Sequence, residues 1–168
     1  MTYASGQLIQ ASDYNGFVND NTNNVNAWWS TGTGNAGWGQ TALATASVGD
    51  TILASSWANL INAIKAGANQ TSTTVTNRTA PSVGTTISVF PNLDTDIGAV
   101  YANRGNAAAS GTTNNSWAGT ASVTAVTGTS NQNWTMTWTS TVTFGSVDQA
   151  RYFFNAGGLI RIQMNKSS

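Results

Sequence analysis

Two related segments near the amino terminus constrain the fold more than any other feature of this chain. GQLIQASDYNGFVN begins at Gly6 and GDTILASSWANLIN begins at Gly49, 43 residues later. In each copy a short extended stretch leads through Ala-Ser into apolar residues spaced as on one face of a helix. Serine is a common N-cap residue, so Ser12 and Ser55 are predicted to begin the two helices. The pattern predicts one amphipathic helical unit that is used twice.

The apolar stripes of the two copies are predicted to bury each other. The first stripe consists of Tyr14, Phe17, Val18, Val25, Trp28 and Trp29, and the second of Trp57, Leu60, Ile61, Ile64 and Ala68. The first helix carries six Asn between positions 15 and 26, each a weaker helix former than Ala by roughly 0.5 kcal/mol. It therefore needs a partner surface, on the second helix or on a neighbouring subunit. We predict an antiparallel helical hairpin over residues 1–70, with Trp38 of the glycine-rich connection either covering the junction or exposed as a contact.

Residues 71–168 are predicted to form a β-rich domain. In WTMTWTSTVTF, from Trp134 to Phe144, threonine alternates with larger or apolar residues, which is typical of a strand. A further strand is predicted around 118–127, and a third helix from Leu93 to Asn103. The predicted fold class is therefore α+β, with an N-terminal helical hairpin followed by an antiparallel β-sheet and short covering helices.

The last segment, FGSVDQARYFFNAGGLIRIQM, has the start and stop signals of a short capped helix. Ser146 begins a Ser-x-x-Gln capping box, and Gly157-Gly158 provides the backbone freedom for a sharp reversal. We predict a helix of about two turns, which the aromatic residues 152–154 anchor to the sheet, and then a final strand along Ile160, Ile162 and Met164.

Two of these motifs resemble a known group of proteins. ARYFFNAGG followed by an alternating strand is similar to a module that closes domains in virion structural proteins of tailed bacteriophages, notably marine and cyanobacterial ones. The I-x-A-S-x-aromatic start, at Ile9 and again at Ile52, resembles the same group. The resemblance implies a virion structural subunit that is assembled in the host cytoplasm. The motif does not indicate a position in the particle; within it we predict the neck or tail, as a collar, fibre or adaptor component, ahead of capsid decoration.

The low charge of the chain favours association with other protein surfaces. Charged residues make up 7% of the sequence, against about 25% in ordinary globular proteins, and the formal net charge is zero. Such a chain lacks the self-repulsion that keeps proteins monomeric. We therefore predict a homo-oligomer. The phage resemblance implies a ring or trimer ahead of a dimer, because phage necks, tails and fibres have rotational symmetry, and it implies binding to other virion proteins. The candidate interface residues are Trp28, Trp29, Trp38, Arg151, Tyr152 and Arg161.

Several kinds of chemistry are excluded by residue types that the chain lacks. It contains no His, Cys or Glu, which removes imidazole and thiolate nucleophile pairs and metal sites built on them. Nothing singles out the two carboxylates that a glycosidase needs. We predict no enzyme activity and no catalytic, cofactor or metal site. The absence of a basic patch argues against nucleic-acid binding, and no apolar run is long enough for membrane insertion.

One alternative from a different class stays open. Exposed tryptophans, together with abundant Asn and Thr, can stack on sugar rings and form hydrogen bonds with their hydroxyl groups. The chain would then be a glycan-binding module for recognition of the host surface.

Overall fold

The computed structural model describes residues 10–84, 92–106, 122–127, 135–139 and 141–160, with the backbone alone for 122–127 and 135–139. In chain order the elements are α1 (Ala11–Asn15), a π-helical turn (Gly16–Asp20), α2 (Asn26–Trp29), α3 (Ala54–Thr71), α4 (Leu93–Ala102), β1 (Ser122–Thr127), β2 (Thr135–Thr139) and α5 (Val147–Asn155). Within the described ranges, no helix has the length and apolar character needed to cross a bilayer.

The first helical segment is broken, so the prediction of one helix from Tyr14 to Trp29 is wrong. After the π-helical turn the chain leaves helical geometry at Asn21 and resumes it at Asn26. The side chain of Asn24 stabilises the break, because its amide donates hydrogen bonds to the carbonyl oxygens of Asn19 (2.9 Å) and Asn21. Its own oxygen accepts a hydrogen bond from the backbone N–H of Ala27 (2.8 Å). Asn side chains compete with the helix for backbone partners, and here they succeed.

The two copies of the repeat begin their helices at equivalent positions, but not at the predicted serines. α1 begins at Ala11 after Gln10, and α3 begins at Ala54 after Leu53. The backbone N–H of Gln10 donates to the carboxylate of Asp13 (3.0 Å). Ser12 and Ser55 therefore lie inside the first turn and are not N-caps, while the 43-residue spacing of the copies is kept.

The two copies pack parallel, so the predicted antiparallel hairpin is also wrong. Near the start of both copies the ring of Tyr14 contacts that of Trp57, with centroids 5.3 Å apart. Towards the end of both copies the indole of Trp28 lies against Gly67, where an added Cβ would come within 2.5 Å of it. Early residues thus meet early residues, and late residues meet late ones. The long connection between the copies permits this arrangement, because it brings the chain back to the end of the molecule at which the first copy begins.

Two asparagines of the first segment hold that connection in its returning path. Asn26 exchanges two hydrogen bonds with the backbone of Leu43, at 2.9 and 2.8 Å. Asn15 exchanges two with the backbone of Ala46, both at 2.8 Å. Leu43 precedes Ala46 in the connection, whereas its partner Asn26 follows Asn15 in the first segment. The connection therefore runs back along that segment. Each side-chain amide takes the place of a neighbouring strand, so the backbone N–H and C=O of Leu43 and of Ala46 are satisfied without a sheet.

A single core joins these parts to α4. Its buried apolar residues are Tyr14, Phe17, Val18, Val25, Trp28, Trp57, Leu60, Ile61, Ala63, Ile64, Ala68, Leu93, Ile97 and Val100. The extended segment after α3 is tied to α4 by an ion pair between Arg78 and Asp96, both of which are buried. The backbone N–H of Thr76 donates a further hydrogen bond to the Asp96 carboxylate (3.2 Å).

The predicted α+β fold class is wrong for the part of the chain that the structure describes, which is helical. Each residue of the core above lies in a helix or in the turns that join helices. The backbones of β1 and β2 pair as a two-stranded antiparallel ribbon with a register shift between Val123 and Val126. Two short strands cannot by themselves bury the faces of several helices. The apolar stripes of the repeat pack on each other and on α4 instead of on a sheet.

Candidate interaction surface

Three of the predicted interface residues, Trp28, Trp29 and Trp38, pack against one another within the subunit. Trp28 is wholly buried, and its ring meets the edges of Trp29 (centroids 5.8 Å apart) and Trp38 (5.0 Å). The indole N–H of Trp29 donates to the carbonyl of Thr41 (3.1 Å), and that of Trp38 to the carbonyl of Arg104 (3.2 Å). Trp28 therefore offers no surface to a partner. Trp38 covers the core, which decides between the two placements that the sequence left open.

Arg151 lies on α5, which docks on the glycine-rich connection through polar side chains. Its guanidinium donates to the carbonyl of Ala36 (3.2 Å). One turn later, the side-chain nitrogen of Asn155 lies 3.1 Å from each of the carbonyl oxygens of Gly34, Ala36 and Gly37. Residues four apart lie on one side of a helix. The polar side of α5 therefore faces the protein.

Tyr152 completes this docked side of α5. Its ring lies so close over Gly39 that a Cβ at that position would collide with it, and Gly39 has a φ of +75° that also favours glycine. The guanidinium of Arg151 stacks over the same ring, 4.3 Å from its centroid. The side chain of Gln70 donates to the carbonyl of Ala156 at the end of α5 (3.1 Å).

Arg161, the remaining predicted interface residue, lies outside the described residues, as does most of the predicted final strand.

Both ends of α5 are capped, and the described hydrogen bonds include the Ser146 half of the predicted capping box. The hydroxyl oxygen of Ser146 accepts a hydrogen bond from the backbone N–H of Gln149 (3.1 Å). At the other end, Gly157 N–H donates to the carbonyl of Phe154 (3.0 Å), and Gly158 N–H to that of Phe153 (2.8 Å). With Gly157 at a φ of +82°, these two bonds form a Schellman motif.

The opposite side of α5 and its flanks expose apolar side chains to solvent. The exposed fractions are 37% for Phe153, 49% for Phe154, 86% for Val147, 77% for Leu159 and 41% for Ile160. The half-buried ring of Phe144 contacts both phenylalanines, with centroids 5.4 and 6.0 Å apart. We call these six residues the α5 apolar face.

The α5 apolar face reverses the usual amphipathic arrangement. Helices of soluble domains normally turn the apolar side inward, whereas α5 buries none of its side chains and holds Arg151 and Asn155 against the protein. The sequence predicted that the aromatic residues 152–154 anchor this helix to a sheet; among the described residues, Tyr152 packs on Gly39 instead, and Phe153 and Phe154 contact Phe144. Exposed apolar patches are where proteins commonly bind other molecules, so the α5 apolar face is the candidate interaction surface of the described residues.

A second surface feature is a polar groove between the π-helical turn and α4, with a volume of about 530 Å³. It is lined by Gly16, Phe17, Asn21, Thr22, Asn23, Asn24, Asp94, Thr95 and Ile97. Phe17 and Ile97 are buried and lie at its base. The exposed amide of Asn23 and hydroxyl of Thr95 can both donate and accept hydrogen bonds, which suits a ligand rich in hydroxyl groups. Among the described residues, no three acidic side chains come together as metal ligands would.

Sequence reasoning missed the roles of Asn15, Asn26 and Asn155. Asn155 could have been found from its position four residues after Arg151, which places both side chains on one side of the helix. No such spacing marks Asn15 and Asn26, because their partners lie in a connection without regular structure. Compared with known proteins, the chain matches no family model, no curated protein and no solved structure.

Proposed function

We propose that this chain is a structural subunit of a tailed-phage particle, positioned in the neck or tail as a collar, fibre or adaptor component ahead of capsid decoration. The observation that carries the proposal is the α5 apolar face, where Phe153 and Phe154 are exposed on a helix that docks through its polar side. A subunit of a large assembly needs such a surface, which is buried only when the assembly forms. A free protein of zero net charge would be prone to associate through it.

The motif behind the phage resemblance is the part of the chain that builds this surface. Within ARYFFNAGG, Arg151 and Asn155 dock the helix on the glycine-rich connection, and Gly157 ends it. The two phenylalanines between them remain directed outward. Each residue type of the motif thus has a physical task in presenting a fixed apolar face to a partner. This role requires no catalytic group, which agrees with the absence of His, Cys and Glu from the sequence.

The test is to look for the chain in the phage particles produced from the genome that encodes it. We expect mass spectrometry of purified particles to detect the chain in a fixed copy number. A whole-particle reconstruction should then show it at the neck or tail, with Phe153 and Phe154 in a protein–protein contact. Particles that are complete and infectious but lack the chain would contradict the proposal.

The polar groove supports a second candidate function, glycan binding for recognition of the host surface. Asn23 and Thr95 are exposed at the groove and have the hydrogen-bonding chemistry that sugar hydroxyls require. Trp28 cannot supply a stacking surface, because it is wholly buried. Titration with neutral oligosaccharides, followed by NMR, would shift the signals of groove residues if this function holds. The shifts should disappear in Asn23→Ala and Thr95→Ala but persist in Asn62→Ala, a control on the exposed side of α3.

A further inference from the structure

We propose that the α5 apolar face binds the same face of a second copy of this chain, so that α5 helices from different copies pack together around a rotation axis. This inference rests on the proposed function and deepens it by naming the surface and its partner. The side chains exposed on this face are Val147, Phe153, Phe154, Leu159 and Ile160, and both phenylalanine rings contact Phe144.

The charge balance of the α5 apolar face favours a second copy of this chain as its occupant. The described residues from Val147 to Ile160 carry two charges, those of Asp148 and Arg151, and these form an ion pair within the helix (3.1 Å). The whole chain also has a formal net charge of zero. Two copies therefore approach without like-charge repulsion, whereas a strongly charged partner would find no complementary charge here. A second copy supplies such a neutral, apolar surface.

The face is free to serve in assembly because α5 does not need it for docking. The contacts that hold α5 to its own chain come from Arg151, Tyr152 and Asn155 on the other side of the helix, and from Gln70 at its end. Removing Phe153 and Phe154 should therefore leave the fold intact. Buried aromatic residues at the centre of an interface commonly contribute most of the binding energy. Loss of these two rings should then abolish association without unfolding the chain.

The main experiment compares the wild type, Phe153→Ser/Phe154→Ser and Val48→Ser/Val83→Ser by analytical ultracentrifugation at low and high salt. Val48 and Val83 are 99% and 96% exposed and lie in connections that are not part of the α5 apolar face, so the second variant is a matched loss of two apolar side chains. We expect the wild type and the control to be oligomeric at micromolar concentration. The phenylalanine variant should bind itself about 100-fold more weakly or worse. Salt should have little effect, because screening acts on charges.

A second measurement keeps the test decisive if the phenylalanine variant folds poorly. The chain has no cysteine, so Val147→Cys introduces one thiol for a spin label at the edge of the α5 apolar face, and Val48→Cys introduces one elsewhere. Pulsed electron resonance should show a well-defined short distance between copies for Val147→Cys. The distance for Val48→Cys should be longer or undefined. Phe153→Leu/Phe154→Leu, which keeps the face apolar, should largely preserve the oligomer.

Two outcomes would overturn the inference. A wild type that stays monomeric shows that the face does not bind a second copy. If this monomer still binds phage particles through Phe153 and Phe154, the occupant is another virion protein and the proposed function stands. An oligomer that survives in Phe153→Ser/Phe154→Ser places self-association on another surface. Absence of the chain from particles, by contrast, contradicts the proposed function while leaving self-association through α5 to be judged by these measurements alone.

Discussion

Tyr14 and Trp57 occupy equivalent positions in the two copies of the repeat, and their rings pack edge to face, with centroids 5.3 Å apart and planes at 70°. Both side chains are 2% exposed, and the Tyr14 hydroxyl donates a hydrogen bond to the carbonyl of Ser56 (3.4 Å). Equivalent residues meet because the copies lie side by side and parallel. This contact places an ionisable group in the middle of the core, which has a consequence for stability at alkaline pH.

Tyr14→Phe should make the chain less sensitive to alkali. Burial raises the pKa of the Tyr14 hydroxyl above its ordinary value, so the proton is held more tightly in the folded state than in the unfolded one. The stabilisation is complete below the unfolded pKa of about 10 and is lost as the pH rises through the folded pKa. Urea denaturation across a pH series should show a shallower alkaline loss of unfolding free energy for the variant. Equal slopes for both proteins would refute this.

The same substitution in two helices should have opposite effects. Gly67→Ala puts a methyl group 2.5 Å from the Trp28 ring and 2.8 Å from Val100, and such overpacking costs about 1–3 kcal/mol. Gly98→Ala on α4 meets nothing closer than 3.9 Å and should gain about 0.8–1 kcal/mol of helix propensity. Chemical denaturation of both variants gives the comparison. Stabilisation by Gly67→Ala would mean that Trp28 does not pack there.

Asp96→Asn should be among the most damaging single changes. It leaves the buried guanidinium of Arg78 without its anionic partner, and breaking a buried pair on one side costs about 3–5 kcal/mol. Asp148→Asn is the control, since its pair with Arg151 has a carboxylate side chain that is 68% exposed and such pairs contribute about 0–1 kcal/mol. Thermal unfolding should separate the two variants clearly. Similar melting temperatures would show that the Arg78 pair is not structural.

Asn15→Ala and Asn26→Ala should each loosen the connection between the repeat copies. Each change removes two hydrogen bonds, one to the backbone N–H and one to the backbone C=O of Ala46 or of Leu43. The cost should be about 1–3 kcal/mol per site, and hydrogen exchange at the Leu43 and Ala46 amides should accelerate. Asn62→Ala, at an exposed position of α3, should instead be neutral or mildly stabilising. Unchanged exchange rates in the first two variants would argue against this role.

Local signals along the sequence predicted local structure well in several places. The Ser146 cap and the Gly157 turn of α5 form as expected, and α4 (Leu93–Ala102) ends within one residue of its prediction. These features depend on side chains and backbone groups only a few residues apart. The first helix could not be predicted in this way, because Asn24 satisfies the backbone of the break with its own side chain. Helix propensity does not show which of two competing sets of hydrogen bonds will form.

By itself the sequence determined the repeat, the apolar stripes and the Ser146 and Gly157 caps of α5, because each is a matter of spacing and residue type over a few helical turns. Only the tertiary structure decided that Tyr14 meets Trp57 in a parallel arrangement, and that α5 turns Phe153 and Phe154 away from the core. Both outcomes depend on polar contacts between distant segments, which are the Asn15 and Asn26 bonds to the connection and the Asn155 bonds to the glycine-rich carbonyls. An apolar stripe specifies that a face will be buried, but the segments and partners that bury it are set by long-range geometry.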